Sequence, residues 1–109
     1  MSAVITLRKI LYVRWTASDD AQYRELSAHI HPLFREVTPL VEFVGRGEAY
    51  LDVTENRLNE PSATRVAQRV RARLSDRLGI DADVGVGPGK FVARLGLFAA
   101  RAGGVGVIT

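Results

Sequence analysis

The sequence has no cysteine, only four prolines and no long apolar run. The missing cysteine excludes disulfides and thiolate-bound metals. No apolar stretch approaches the ~20 residues that a membrane-spanning helix requires, and the region around Leu7, Arg8 and Lys9 lacks the apolar segment of a signal peptide. These absences predict a cytoplasmic protein that does not enter a membrane.

The chain does contain enough apolar residues for one hydrophobic core. It has 109 residues, of which 47% are hydrophobic, so we expect residues 1–109 to form a single domain. The formal net charge is +3, and only two of the 15 basic residues are lysines. Because the planar guanidinium group suits phosphate, this mild arginine excess is compatible with a nucleic-acid partner. A GC-rich genome would give the same composition without any such function.

The spacing of apolar residues, glycines and prolines predicts eight secondary-structure elements. Pro32 lies inside the first helical pattern and predicts a kink or a short second helix there. The predicted elements are strand 5–15 in the middle of a sheet, helix 20–37, strands 40–44 and 49–53, helix 61–79, strand 80–86, helix 90–101 and strand 105–108. Their β-α-β-β-α-β-α-β order is the split βαβ plan of ferredoxin-like α+β domains, a mostly antiparallel sheet with helices packed on one face.

Residues 41–54 carry the most informative motif. Apolar residues flank a two-glycine break at Gly45 and Gly47, which predicts two extended segments joined by a tight turn. Glu48 lies just past the bend. A carboxylate at the start of a strand can reach a metal or a substrate in a groove, so Glu48 is a candidate site residue.

Residues 85–90 join a predicted strand to a predicted helix through Gly85, Gly87 and Gly89. Glycines before a helix N-terminus let the backbone approach an anion. Phe91, however, stands where a Walker A loop has the Ser or Thr that holds magnesium. On its own, the segment is therefore interpreted as an ordinary tight turn.

Arginines recur every four residues along the second long helix, at Arg65, Arg69, Arg73 and Arg77. This arginine ladder lies on a different side of the predicted helix from the apolar stripe. It is either a solvated surface or a surface that contacts phosphate, and Arg65, Arg69 and Arg73 are the candidate DNA-binding residues.

Residues 48–52, Glu-Ala-Tyr-Leu-Asp, resemble the palm motif of Y-family (translesion) DNA polymerases of the bacterial DNA polymerase IV-like type. In that family a Ser-x-Asp-Glu turn leads into Ala-Tyr-Leu-Asp. Here Gly45 stands where the family has serine, and Gly47 where it has the metal-binding aspartate. The resemblance implies a palm domain and leaves Glu48 as the only retained acid of the catalytic hairpin motif.

Residues 83–108 resemble the following part of the same palm, with the spacing preserved. Lys90, Arg94 and Arg101 match basic residues of the family, and the resemblance assigns them to phosphate or nucleotide binding. Gly89 and Ala102 depart from the family's Asn and Pro.

The resemblance also implies a magnesium-dependent DNA polymerase, but the ligand set is incomplete. Phosphoryl transfer to a primer end needs two metal ions held between carboxylates. If residues 10–13 are the first palm strand, the next residue is Arg14 rather than an aspartate; in a second alignment, residues 5–15 are the strand that follows the fingers domain. With Gly47 also lacking an acid, no metal site and no cofactor are predicted. The family's fingers, thumb and little-finger domains have no room in 109 residues.

Three functions remain open at this point. The favoured one is a palm-like, degenerate relative that acts in DNA repair or damage tolerance and binds DNA or a repair protein without polymerising on its own. The second is an excised part of an active translesion polymerase, against which Gly47 counts because the missing aspartate belongs to this very stretch. The third is a small ferredoxin-like interaction or ligand-sensing domain that forms a homodimer.

Overall fold

The computed structural model describes residues 8–16, 19–99 and 104–108 and has an α+β fold. Among these residues, no helix is both long enough and apolar enough to cross a membrane. The elements are β1 (Ile10–Trp15), α1 (Asp20–Val37), β2 (Val41–Gly45), β3 (Glu48–Asp52), α2 (Ala63–Leu78), β4 (Ala82–Gly87), α3 (Lys90–Ala99) and β5 (Val105–Val107). The predicted element order is confirmed, and most of the predicted bounds lie within two residues of the observed ones. Residues 5–7 of the predicted first strand and residues 100–103, which include Arg101, lie outside the described residues.

Helix α1 begins and ends where the sequence predicts. The Asp19 side chain accepts a hydrogen bond from the backbone N–H of Gln22 at 2.7 Å, which satisfies a donor that the first turn leaves open. The helix continues through Pro32, so the prediction of a short second helix is wrong. Proline removes one backbone donor, but Ile30 and Phe34 on either side are fully buried and hold the segment against the core.

Helix α2 begins two residues later than Pro61, the predicted first residue. The side-chain oxygen of Ser62 accepts a hydrogen bond from the backbone N–H of Arg65 at 3.3 Å, and Ser62 is therefore the cap. Gly79 ends the helix in the left-handed conformation, at φ 63°, and the predicted end of the helix is confirmed to within one residue.

The five strands form one sheet in the order β2-β3-β1-β4-β5. Strand β1 lies in the centre, antiparallel to both β3 and β4, and the β4–β5 pair alone is parallel. The first four strands have the arrangement of a ferredoxin-like sheet. The predicted central position of the first strand and the mostly antiparallel sheet are thus confirmed.

The helices divide between the two faces of the sheet, because successive side chains of a strand point to opposite sides. Leu11 and Val13 pack with α1 and α2 in the larger hydrophobic core. Ile10 and Tyr12 point the other way and pack against Ala93 and other residues of α3. The prediction of helices on one face therefore holds for α1 and α2, whereas α3 covers part of the opposite face.

Glycines in β4 explain how α3 reaches that face. A Cβ atom on Gly85 would lie 1.9 Å from the carbonyl oxygen of Ala93, and one on Gly87 would lie 2.6 Å from the Ala93 nitrogen. Both distances are too short for any side chain, so the helix backbone rests directly on the strand. Gly85 and Gly87 thus serve the packing of α3 on β4, whereas Gly89 has open space around it.

Candidate functional site

The candidate site lies on the face of the sheet that α3 only partly covers, and we call it the α3-side face. Six side chains of β1 and β3 point to it, of which all but the first are polar: Ile10, Tyr12, Arg14, Glu48, Tyr50 and Asp52. Register places Tyr12 opposite Tyr50 and Arg14 opposite Glu48. The central strands thus present a polar surface here, whereas their other face is entirely apolar core.

A tyrosine–glutamate hydrogen bond occupies the middle of the α3-side face. The hydroxyl group of Tyr12 donates to a carboxylate oxygen of Glu48. Burial raises the pKa of Tyr12 to about 12, with the hydrogen bond to Glu48 and its negative charge as further causes. The positive charges of Arg94 and Arg14 act in the opposite direction. Tyr12 therefore stays protonated at neutral pH and keeps one Glu48 oxygen engaged.

Two cations from α3 lie above the tyrosine pair. The rings of Tyr12 and Tyr50 are 5.1 Å apart. The Lys90 ammonium lies 5.7 Å from the centre of the Tyr50 ring, and the Arg94 guanidinium lies 5.6 Å from that of Tyr12, both within cation–π range. Both side chains remain more than half exposed. The rings hold the two positive charges in place while leaving them accessible.

Each of these cations also has an acidic neighbour. Lys90 donates a hydrogen bond to the Glu42 carboxylate of β2. A terminal nitrogen of Arg94 lies 4.0 Å from a Glu48 oxygen. Because these contacts are exposed or only partly buried, salt and competing anions can weaken them.

A cavity of about 320 Å³ adjoins the site between β2, β3 and the start of α3. Arg8 and Asp52 close one side of it with an ion pair at 2.9 Å. Burial works to raise the pKa of Asp52, but hydrogen bonds from Thr54 and Arg8 outweigh it and hold that pKa below its ordinary value. The residues that line the cavity are Arg8, Ile10, Pro39, Leu40, Val41, Glu42, Tyr50, Asp52 and Lys90.

The residues present do not fit a pair of magnesium ions. Among the described residues, no three acidic or histidine side chains come together as metal ligands would. Glu48 is hydrogen-bonded to Tyr12 and has Arg14 directly across the strand pair. Because Arg14 lies opposite Glu48, the only acid of the bend, its positive charge disfavours binding of a metal cation there.

The backbone at Gly47 also excludes an acid there. Gly47 has a φ of 71°, in the left-handed region, and a Cβ atom on it would lie 2.1 Å from the carbonyl oxygen of Trp15. The Trp15 N–H donates to the Gly47 carbonyl oxygen at 2.8 Å, which ties the bend to the central strand. An aspartate at position 47 would require a different hairpin.

The arginine ladder of α2 lies on the other side of the sheet, since α2 packs in the larger core. Arg73 and Arg77 both contact the Glu36 carboxylate of α1, at 3.3 and 2.7 Å. Arg65 lies 4.0 Å from Glu60, and Arg69 is exposed. The structure therefore separates this group from Lys90 and Arg94, and Arg101 lies outside the described residues.

Sequence reasoning missed Tyr12 and Glu42 as site residues. The apolar residues of the first strand are nearly continuous and do not single out Tyr12, and only the strand register and the hydrogen bond show it next to Glu48. Glu42 meets Lys90 across 48 positions of sequence, a contact for which the local pattern carries no signal.

The fold and this site define a palm-like domain of the translesion DNA polymerase class. The sequence profile described as IMS, the impB/mucB/samB family, matches residues 4–97. The chain therefore belongs to the impB/mucB/samB family. The resemblance drawn from residues 48–52 and 83–108 is confirmed.

Similar proteins include several bacterial enzymes named DNA polymerase IV. The one from Exiguobacterium sibiricum is 52% identical over 73 residues, which cover 67% of this chain and 20% of that protein. The one from Serratia proteamaculans is 36% identical over 109 residues, which cover 100% of this chain and 31% of that protein. The chain thus spans about a fifth to a third of the length of these curated relatives.

Two solved structures of Dbh DNA polymerase have the same fold. The post-insertion binary complex has a TM-score of 0.70 at 28% identity and covers 80% of this chain and 26% of that one. The ternary complex has a TM-score of 0.72 at 26% identity and covers 85% of this chain and 28% of that one. The chain is similar to one part of each polymerase.

Proposed function

We propose that this palm-like domain binds DNA in repair or damage tolerance and does not polymerise by itself. The observation that carries the proposal is the pair of accessible cations, Lys90 and Arg94, fixed over two tyrosine rings on a face where the described residues bring no three metal ligands together. By the family resemblance, this positive charge lies where nucleotide phosphates are bound, while the described residues lack a cluster of acidic side chains for the transfer. A cytoplasmic location is part of the same proposal.

The main DNA contact is assigned to the α3-side face rather than to the α2 ladder. Arg73 is only 23% exposed at its side chain and already pairs with Glu36, whereas Lys90 and Arg94 are 52% and 59% exposed. Contacts with phosphate need cations that can leave or share their present partners. Arg65 and Arg69 remain accessible on the other side and form the alternative surface.

The test is a fluorescence anisotropy titration of labelled duplex DNA at several salt concentrations. We expect weak binding whose affinity falls as salt rises, with a slope that reflects the number of phosphate contacts. A Lys90→Ala/Arg94→Ala double variant should lower the magnitude of that slope by roughly 1.8, because each duplex phosphate contact contributes ~0.9. The matched control is Arg65→Ala/Arg69→Ala, which removes the same charge from α2 and should leave the slope unchanged.

Two results would contradict this assignment. If the control variant lost the slope and the α3 variant kept it, the DNA surface would lie on α2. An absent or salt-independent anisotropy change would remove DNA as the partner and favour a protein-interaction domain.

The non-catalytic part has its own test, a primer-extension assay with magnesium and with manganese. We expect no extension, because among the described residues no three acidic or histidine side chains come together as ligands for the two metal ions that the transfer needs. The control is Glu48→Ala. Incorporation of even one nucleotide above that control would overturn the proposal that the domain does not polymerise.

A further inference from the structure

The outer side of α3 exposes three apolar side chains in one row. Phe91, Leu95 and Phe98 are 73%, 40% and 80% exposed. Their four- and three-residue spacing places them on the same side of the helix, and the buried residues Ala93 and Leu97 lie on the opposite side. The row therefore points away from the sheet.

This row lies next to positive charge. Lys90 and Arg94 form the adjacent row of the same helix, and the ten residues of α3 contain no acidic side chain. Exposed aromatic rings beside cations are the combination with which proteins bind single-stranded nucleic acid, since the rings stack on bases and the cations contact the backbone. A partner of negative charge with flat apolar groups suits this surface.

The size of the row also favours stacking over a subunit interface. A phenylalanine offers on the order of 200 Å², so the two exposed rings present roughly 300 Å² between them. A stable protein interface needs about 800 Å² from each partner. Phe91 and Phe98 are separated by about 10 Å along the helix axis, the length of about three nucleotides at ~3.4 Å each.

We propose that the outer side of α3 is a stacking platform for single-stranded nucleic acid, with Phe91 and Phe98 as the stacking residues and Lys90 and Arg94 as the backbone contacts. The proposal rests on the DNA binding proposed above and specifies the form of the strand. In a duplex the bases are stacked on one another, so only an unpaired strand can offer its base faces to the two rings.

The experiment compares a labelled oligothymidine with a labelled hairpin duplex of the same total length in anisotropy titrations. Phe91→Leu and Phe98→Leu keep the apolar character and remove the ring; each should weaken single-strand binding roughly tenfold. The salt dependence and the duplex affinity should stay unchanged. Leu95→Ala is the matched control, because it removes exposed apolar area from the same row without removing a ring, and it should have little effect.

A second measurement reports stacking directly. Phe98→Trp should bind single strands as wild type does, in contrast to Phe98→Leu, and should give an indole whose fluorescence is quenched by oligothymidine. The only native tryptophan, Trp15, is 3% exposed and contributes a constant background.

Four outcomes would overturn the platform. Two concern affinity: Leu95→Ala weakens single-strand binding as much as the phenylalanine variants do, or the Phe91→Leu/Phe98→Leu variant keeps its single-strand affinity. The third is that oligothymidine does not quench the fluorescence of Phe98→Trp. The fourth is a wild-type dimer in light scattering that becomes a monomer in Phe91→Leu/Phe98→Leu. The last would show that a second copy covers the row. If wild type bound duplex but the leucine variants bound single strands normally, only the platform would be lost; no binding to either DNA would remove the proposed function as well.

Discussion

Replacing Gly47 with alanine should destabilise the domain far more than the same change at two other glycines. At Gly47 a side chain meets both a left-handed backbone and the Trp15 carbonyl oxygen at 2.1 Å. Gly79 has a similar φ of 63°, but a Cβ atom on it would meet nothing within 4 Å, and Gly89 has open space and an ordinary φ. The three positions separate backbone strain from steric overlap.

The expected free-energy changes follow from these differences. The left-handed conformation costs a non-glycine residue about 1–2 kcal/mol, and a forced backbone shift in packed surroundings costs about 1–3 kcal/mol more. Gly47→Ala should therefore lower the free energy of unfolding by about 2–5 kcal/mol, and Gly79→Ala by about 1–2 kcal/mol. Gly89→Ala should change it by less than about 1 kcal/mol, because a lost capping preference is offset by a less flexible unfolded chain.

Urea denaturation followed by Trp15 fluorescence measures all three variants at a buried site that adjoins the bend. With a typical dependence on denaturant, the Gly47→Ala midpoint should fall by roughly 1–3 M. A loss at Gly47 no larger than that at Gly79 would refute the close contact between the bend and β1. Gly47→Asp should be at least as unstable and, in calorimetric titration with manganese, should gain no binding, because the aspartate cannot enter this hairpin without rebuilding it.

Two predictions concern ionisable groups. The phenolate absorbance of Tyr12 should appear only at a pH of about 12 and be missing in Tyr12→Phe. Because folding raises the pKa of Tyr12, the protonated hydroxyl group stabilises the fold fully below the unfolded-state pKa of about 10. This contribution is lost as pH rises toward 12. A Tyr12 phenolate that titrates at the unfolded value would contradict both the burial of the Tyr12 hydroxyl group and its hydrogen bond to Glu48. Hydrogen bonding to Arg77 lowers the pKa of Glu36, so the pair should stabilise the domain above that group's ordinary value of 4.5 and lose this effect as pH falls below it. Thermal denaturation of Glu36→Gln across this range should show a flatter acid limb than wild type, and identical limbs would contradict the Glu36 contact.

Local chemistry accounts for the elements that sequence alone predicts well. Asp19 supplies a cap, Gly79 tolerates a left-handed stop, and apolar residues at helical spacing require a buried face, so each boundary depends on residues a few positions apart. The start of α2 was predicted at Pro61 for an equally local reason, since proline and the Ser62 cap both favour a helix start. The cap sets the first helical residue at Ala63. Pro32 differs, because packing of Ile30 and Phe34 with residues far along the chain overrides its local preference.

The composition of the candidate site was predictable in part. The family motif drew attention to Glu48, Lys90 and Arg94, and the structure brings all three to the α3-side face. Comparison with the motif also showed that position 47 is a glycine instead of an aspartate, and the structure adds that the bend leaves no space for a side chain there. Tyr12 and Glu42 were not predictable, because their roles depend on which residue lies across the sheet from them.

The sequence by itself determined the membership of the impB/mucB/samB family, the glycine at position 47 and the ferredoxin-like order of elements, because residue identity and short-range spacing decide all three. Only the tertiary structure decided that α3 lies opposite α1 and α2, that the two arginine-bearing surfaces are separated by the sheet, and that Glu48 is engaged by Tyr12. Those features depend on strand register and on glycines that let one backbone rest on another, and such long-range contacts arise only when the whole sheet assembles.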